Sequence, residues 1–354
     1  MNELGKGLLD ENNFTLSSQL FVIVQARIDR RGENLKRLVM TVIILIVLSG
    51  CTGDRYSTIP SNEDIIVTTN IKDGSVSFIQ EKNNELIATW QLKKAIMGSL
   101  LLDNDTLIVY GKQLSKVYLY SLNKGKQIGS WNTGEGVANA ILSSDKKNVI
   151  LANQDTNEVH IYSLKGEKEK TISVDKGPLT MLEDKGILYV VNFNDTTVSV
   201  IDLQKRKVIH AIPVPASSTG AIVNLQTNEL LLGGHGNGDT INSKVFVYSL
   251  ATGKEVHTIE ASSMPINFTA DSDHVYVLSH GSNMLRKLDS STYQEEGAVE
   301  VGSNPFSVFA YKKQIYVGSY DSNEVYVVDT DSMKVIKKIV VGKGPFHIIE
   351  RKGE

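Results

Sequence analysis

Two imidazoles and a carboxylate are the side chains best suited to chemistry in this 354-residue chain. His235 follows the apolar run Leu230–Gly234, and His280 follows a second such run, Tyr276–Ser279. Asp239 stands beside the first, in Gly233-Gly234-His235-Gly236-Asn237-Gly238-Asp239-Thr240. Imidazole and carboxylate bind metals and carry protons, so this set suits a metal site or an acid–base pair. The plainer reading is two surface histidines on polar loops whose glycines only make the turn. No HExxH, CxxC or EF-hand spacing is present. The glycine cluster follows a strand-like run but opens no helical pattern, so it is no dinucleotide fingerprint. No cofactor is expected, and a metal ion on His235, Asp239 and His280 is the alternative.

Lys287 and His347 are the other unusual positions. Lys287 replaces an apolar residue that its counterparts Phe78, Leu119, Ile161, Val200, Val247 and Val327 supply. Its stem is expected to pack while its head reaches water. His347 follows Gly344-Pro345-Phe346 and is expected to face a central channel. His160, His210, His257 and His274 fall on strands and read as structural.

The elements that position these groups repeat. Gly74–Ile79, Lys116–Leu122, Glu158–Leu164, Thr197–Leu203, Lys244–Leu250, Met284–Asp289 and Glu324–Asp329 are seven related strands, about forty residues apart, with period-two alternation. About four short strands per period predicts an all-β, seven-bladed β-propeller of four-stranded antiparallel blades. Four of the seven prolines, Pro178, Pro265, Pro305 and Pro345, hold one place in their repeats. That place suits the first residue of a strand, where no ladder donor is needed. The last such strand, Pro345–Glu350, has no following repeat, so it is expected to close the first blade and remove an open edge.

In a meander blade, the links into the innermost strand and the loops after the second strand share one rim. The ligand-binding rim is therefore expected to hold Asn153, Asn192, Phe193, His235, Asp239, His280, Tyr320 and His347. Blade five carries an insertion of about five residues there, and such glycine-rich loops approach ligands closely. Equivalent positions of neighbouring blades are expected about 10 Å or more apart from the spacing of packed sheets, too far for one metal unless they lie near the axis.

Tyr189-Val190-Val191-Asn192 followed by Val198–Asp202, with the link Val301-Gly302-Ser303-Asn304-Pro305-Phe306, resembles the YVTN-repeat (YncE-like) family of seven-bladed propellers. The resemblance spans Ile65 to Glu350. It implies the fold and, less specifically, a secreted or surface binding protein. Related seven-bladed proteins include lactonases and dehydrogenase subunits. A lactonase-like or other hydrolase using His235 and His280 is thus the alternative function.

The N-terminal part reads as a targeting segment. Lys36-Arg37 precedes the apolar core Leu38–Leu48, which is too short to span a bilayer comfortably. Leu48-Ser49-Gly50-Cys51 resembles the bacterial lipobox, and Cys51 is the only cysteine. That resemblance implies lipidation of Cys51 and anchoring on the outer face of a cell membrane. The expected organisation is residues 1–34 as an over-called or atypical extension, 35–50 as signal peptide, 51–64 as lipidated tether and 65–354 as propeller. Formal charge is −3, which gives no electrostatic footprint for nucleic acid. The expectation is a monomeric, membrane-anchored, extracytoplasmic propeller that binds or scaffolds a protein or small ligand at its rim.

Overall fold

The computed structural model describes residues 54–354, and the extension, the signal segment and Cys51 lie outside the described residues. Residues 56–354 form seven four-stranded antiparallel sheets, each a meander of consecutive strands. Blade one is the exception in order: Pro345–Arg351 is its innermost strand and pairs with Ile65–Asn70. Blades two to seven start with innermost strands Gly98–Leu101, Val137–Leu142, Pro178–Asp184, Ser218–Asn224, Pro265–Ala270 and Pro305–Tyr311. The ring is closed by the C-terminal strand, as the unmatched last repeat predicts.

Alternation explains the core. The second and third strands are buried on both faces and read as near-continuous apolar runs, such as Ile187–Asn192 and Thr197–Asp202. The fourth strands face water and are polar, as in Lys168–Ser173. Apolar clusters fill the spaces between successive blades. Tyr276, Leu278 and Leu285 of blade six, for example, share one with Val308, Val317 and Tyr326 of blade seven.

Six of the seven innermost strands carry a bulge just after their first residue. Pro178 pairs with Asn192 and Thr180 with Val191, so Leu179 is left out of register. Ala138, Ile266, Phe306 and Phe346 are left out in the same way, as are Thr219 and Gly220 in blade five. A bulge redirects a side chain and frees its carbonyl from the ladder. Here the freed carbonyl joins neighbouring blades. Asn139 Nδ2 donates to the Leu179 carbonyl at 2.9 Å, Thr180 Oγ1 to that of Thr219 at 2.6 Å, and Asn267 Nδ2 to that of Phe306 at 2.9 Å.

The stretch read as a tether is partly folded. Tyr56 stacks on Trp90 with centroids 5.0 Å apart, and Trp90 Nε1 donates to the Ser57 carbonyl at 3.0 Å. Ile59 is fully buried. Two apolar residues in a polar segment suffice to dock it, because blade one offers them a large aromatic surface. Arg351 then donates to the carbonyls of Pro60 and Glu63, and Gly353 N donates to Asp64 Oδ1 at 2.8 Å. Residues 56–64 therefore belong to the propeller and cross the rim opposite His235.

Asp64 makes this clasp sensitive to acid. The Gly353 N–H, then Lys312 and Tyr311, hold its carboxyl at about 2, against an ordinary 3.8. A lowered carboxyl stabilises the fold above its unfolded value and loses that contribution as pH falls through the folded value. Asp64→Asn should therefore lower the urea midpoint near neutral pH. The gap to wild type should close between about pH 4 and pH 2, and a gap independent of pH would contradict this account.

Candidate functional site

The upper rim, where the second strands end, carries a continuous aromatic collar. It begins at Phe193, which meets His235 edge-on at 6.3 Å between centroids. His235 meets His280 at 5.7 Å and an interplanar angle of 77°. His280 lies 4.5 Å from Phe306, and Phe306 lies 5.4 Å from Tyr320 and 5.1 Å from Phe346. Lys72 Nζ sits 4.0 Å over the Tyr320 ring and 2.8 Å from Asp321, tying blade one to blade seven. Offset and edge-on geometries at these distances are favourable for aromatic rings.

The two histidines are thus brought together, closer than blade spacing suggests. Each follows the last residue of a second strand, Gly234 and Ser279, and Phe306 packs against His280. Burial pushes the His235 imidazole below its ordinary value, and the neighbouring His280 adds to this. Burial also lowers His280, while a hydrogen bond to the Pro305 backbone and the charge of Asp321 act in the opposite sense. The pair is accordingly neutral at neutral pH. Nδ1 of each ring is buried without a hydrogen-bond partner.

Asp239 does not complete the pair. It lies on an exposed turn whose Asn237 Oδ1 accepts from Asp239 N at 3.2 Å and from Thr240 N at 3.0 Å. Among the described residues, no three His, Cys, Asp or Glu side chains converge to hold a metal ion. The insertion instead forms a short hairpin, bridged from Gly236 to Ile241, beside a cleft of about 350 Å³ on the flank of blade five.

Asn153 and Asn192, expected on the rim, are buried side chains. They are 1 % and 0 % exposed. Asn153 Oδ1 accepts from Asp155 N and Thr156 N, and its Nδ2 donates to the Glu135 carbonyl. Asn192 Nδ2 donates to Thr197 Oγ1 and Ser199 Oγ. Through these bonds each amide serves its own turn or strand pair, while Asn192 Oδ1 is buried without a partner. Lys287 also departs from expectation: its side chain is 12% exposed, and Nζ donates to the Thr330 carbonyl at 3.1 Å, joining blades six and seven, with Glu296 at 3.8 Å.

Beneath the collar lies a cavity of about 190 Å³. The bulge residues Ala138, Leu179, Ile266, Phe306 and Phe346 line it, together with the side chain of Thr219. His347 lines it too. Ser99 N points at His347 Nδ1 across 3.5 Å, and the Tyr110 ring stands edge-on at 6.3 Å. Burial drives the His347 imidazole down to about 4. Tyr110 enters because Gly98 has no side chain. A Cβ at Gly98 would lie 2.2 Å from the Tyr110 hydroxyl, which points toward Asn139 Oδ1. Sequence reasoning missed Phe306, Phe346 and Lys72. The available signal was a phenylalanine directly after proline in two of the inter-blade links.

No protein-family model matches the chain, and no curated protein matches it significantly. Solved structures do match. Hydrazine synthase of Kuenenia stuttgartiensis aligns with a TM-score of 0.65 at 16% identity, over 81% of this chain and 99% of that one. A protein of Desulfotomaculum acetoxidans aligns with a TM-score of 0.68 at 11% identity, over 82% and 99%. AztD of Citrobacter koseri gives 0.57 at 14% identity, over 82% and 98%. At these identities the likeness shows the fold.

Proposed function

We propose that this chain is a lipid-anchored, extracytoplasmic binding propeller whose ligand or partner docks on the aromatic collar of the upper rim. The collar carries this reading. Phe193, His235, His280, Phe306, Tyr320 and Phe346 form one connected, partly exposed aromatic surface at a concave mouth, the kind of place that ligands favour. Aromatic side chains supply large contact area at small entropic cost. Among the described residues no three metal-ligating side chains converge at His235 and His280, which argues against a metal-assisted hydrolysis there and favours the binding reading.

The route of the chain supports an orientation. Tyr56 N donates to the Gly125 carbonyl, in the turn between the third and fourth strands of blade two, on the side opposite the collar. The residues from Cys51 to Tyr56 span at most about 17 Å when extended. A lipid on Cys51 would hold the lower rim toward the membrane and leave the collar facing outward.

A photoreactive phenylalanine analogue at Tyr320 tests the docking face on intact cells, with the same analogue at Leu225 as control. Leu225 is 73% exposed and lies on the lower rim. A discrete adduct from position 320 and none from 225 is expected. Equal labelling, or adducts only from 225, would place the contact elsewhere. The anchor is tested separately: the wild-type chain should partition into detergent and Cys51→Ala into water.

A further inference from the structure

The channel beneath the collar differs in chemistry from the rest of the surface. Among the described residues lining it, none carries an acidic or basic side chain apart from the imidazoles of His235 and His347. Both imidazoles are held below their ordinary value by burial. The cavity is therefore uncharged at neutral pH. An ion seated in it would give up part of its hydration without gaining a counter-charge, which is costly. A neutral molecule pays no such penalty.

Size narrows the class further. Apolar cavities of roughly 150 Å³ admit a benzene ring, and this one has about 190 Å³. Its walls are the side chains that the bulges turn inward, with Phe306 and Phe346 at the mouth. Polar capacity is limited. Asn139 and Asn267 are occupied by the neighbouring carbonyls and by the amides of Ala140 and Phe268. Thr180 is occupied by the Thr219 carbonyl. Thr219 Oγ1 and His235 Nδ1 are buried without a partner, and His347 supplies a third free group. With the Ser99 amide aimed at Nδ1, the neutral ring keeps its proton on Nε2, and that N–H has no partner among the described residues.

We propose that this channel binds a neutral, ring-sized molecule with one acceptor oxygen, which takes the Nε2 proton of His347. The proposal rests on reading the upper rim as the functional face, and it names what enters the channel itself. The Phe306 and Phe346 rings pack on the ligand, and the bulge residues fix its depth.

Calorimetry on the full chain with phenol, benzoate and benzylamine is the test. Phenol should bind once per chain, at least about tenfold more tightly than either ionised isostere. Ala138→Phe fills the cavity and should abolish binding. His347→Phe keeps a ring but removes the donor. It should weaken phenol by about tenfold while leaving toluene unchanged, which a merely structural role for His347 would not do. Absence of phenol binding, a preference for an ion, or binding that both variants leave intact overturns the proposal. A Tyr320 adduct on cells without phenol binding would sink this inference alone and leave the docking face standing.

Discussion

Deleting Pro345–Glu354 should abolish cooperative folding. The deleted strand pairs with Ile65–Asn70 from Ile65↔Arg351 to Asn70↔Pro345, so its loss bares the inner edge of blade one. It also removes Ile348, buried against Ile66 and Tyr316 in the seam between blades one and seven. The clasp on residues 56–64 goes with it, since Arg351, Gly353 and Glu354 all bond to that segment. A ring has no spare edge, and opening one seam exposes both of its walls. Folded domains are typically stable by only about 5–15 kcal/mol, so a loss of this extent exceeds the margin. Far-ultraviolet circular dichroism should show no sigmoidal melt. A shorter deletion of Lys352–Glu354 should melt cooperatively at a lower temperature. A cooperative melt of the longer deletion within a few degrees of wild type would contradict closure by this strand.

Gly220→Val should be the most damaging single substitution in the channel wall. A Cβ at this position would lie 1.9 Å from the Ile266 carbonyl oxygen and 2.5 Å from its carbon. Both atoms are backbone of the next blade's innermost strand, so no rotamer relieves the clash. Elsewhere in this column Asn139, Thr180 and Asn267 reach across to the neighbouring carbonyl, and at Gly220 the two backbones have closed that gap. Separating them pulls blade five from blade six. The expected loss is about 3 kcal/mol or more. Gly129→Ala is the control, because a Cβ there meets nothing within 4 Å. It should change stability by less than about 0.5 kcal/mol. Equal midpoints in chemical denaturation would refute the account of blade contact.

The architecture was legible because it repeats. Seven similar strands and four equivalent prolines locate the blades, and the unmatched Pro345–Arg351 tells where the ring closes. The bulges were not legible. A one-residue slip leaves the apolar alternation almost unchanged, yet it decides that Leu179, Phe306 and Phe346 face the channel. His235 and His280 were found by their equivalent positions. Their 5.7 Å ring separation was not, because sheet spacing describes strand backbones and not side chains that reach past the strand ends. Asn153 and Asn192 looked like rim residues from their register alone. Their burial follows from the backbone and hydroxyl groups around them, which a column of aligned residues does not display. Tyr56 and Ile59 were hidden in a polar stretch whose average resembled a tether.

The most direct test of the binding account is a crystal of the protein grown with phenol. The account predicts one ring between Phe306, Phe346 and His347, with its oxygen toward Nε2. A ring found only in the cleft beside the blade-five hairpin, against Ile241 and Phe246, would contradict it, as would a channel that takes up none.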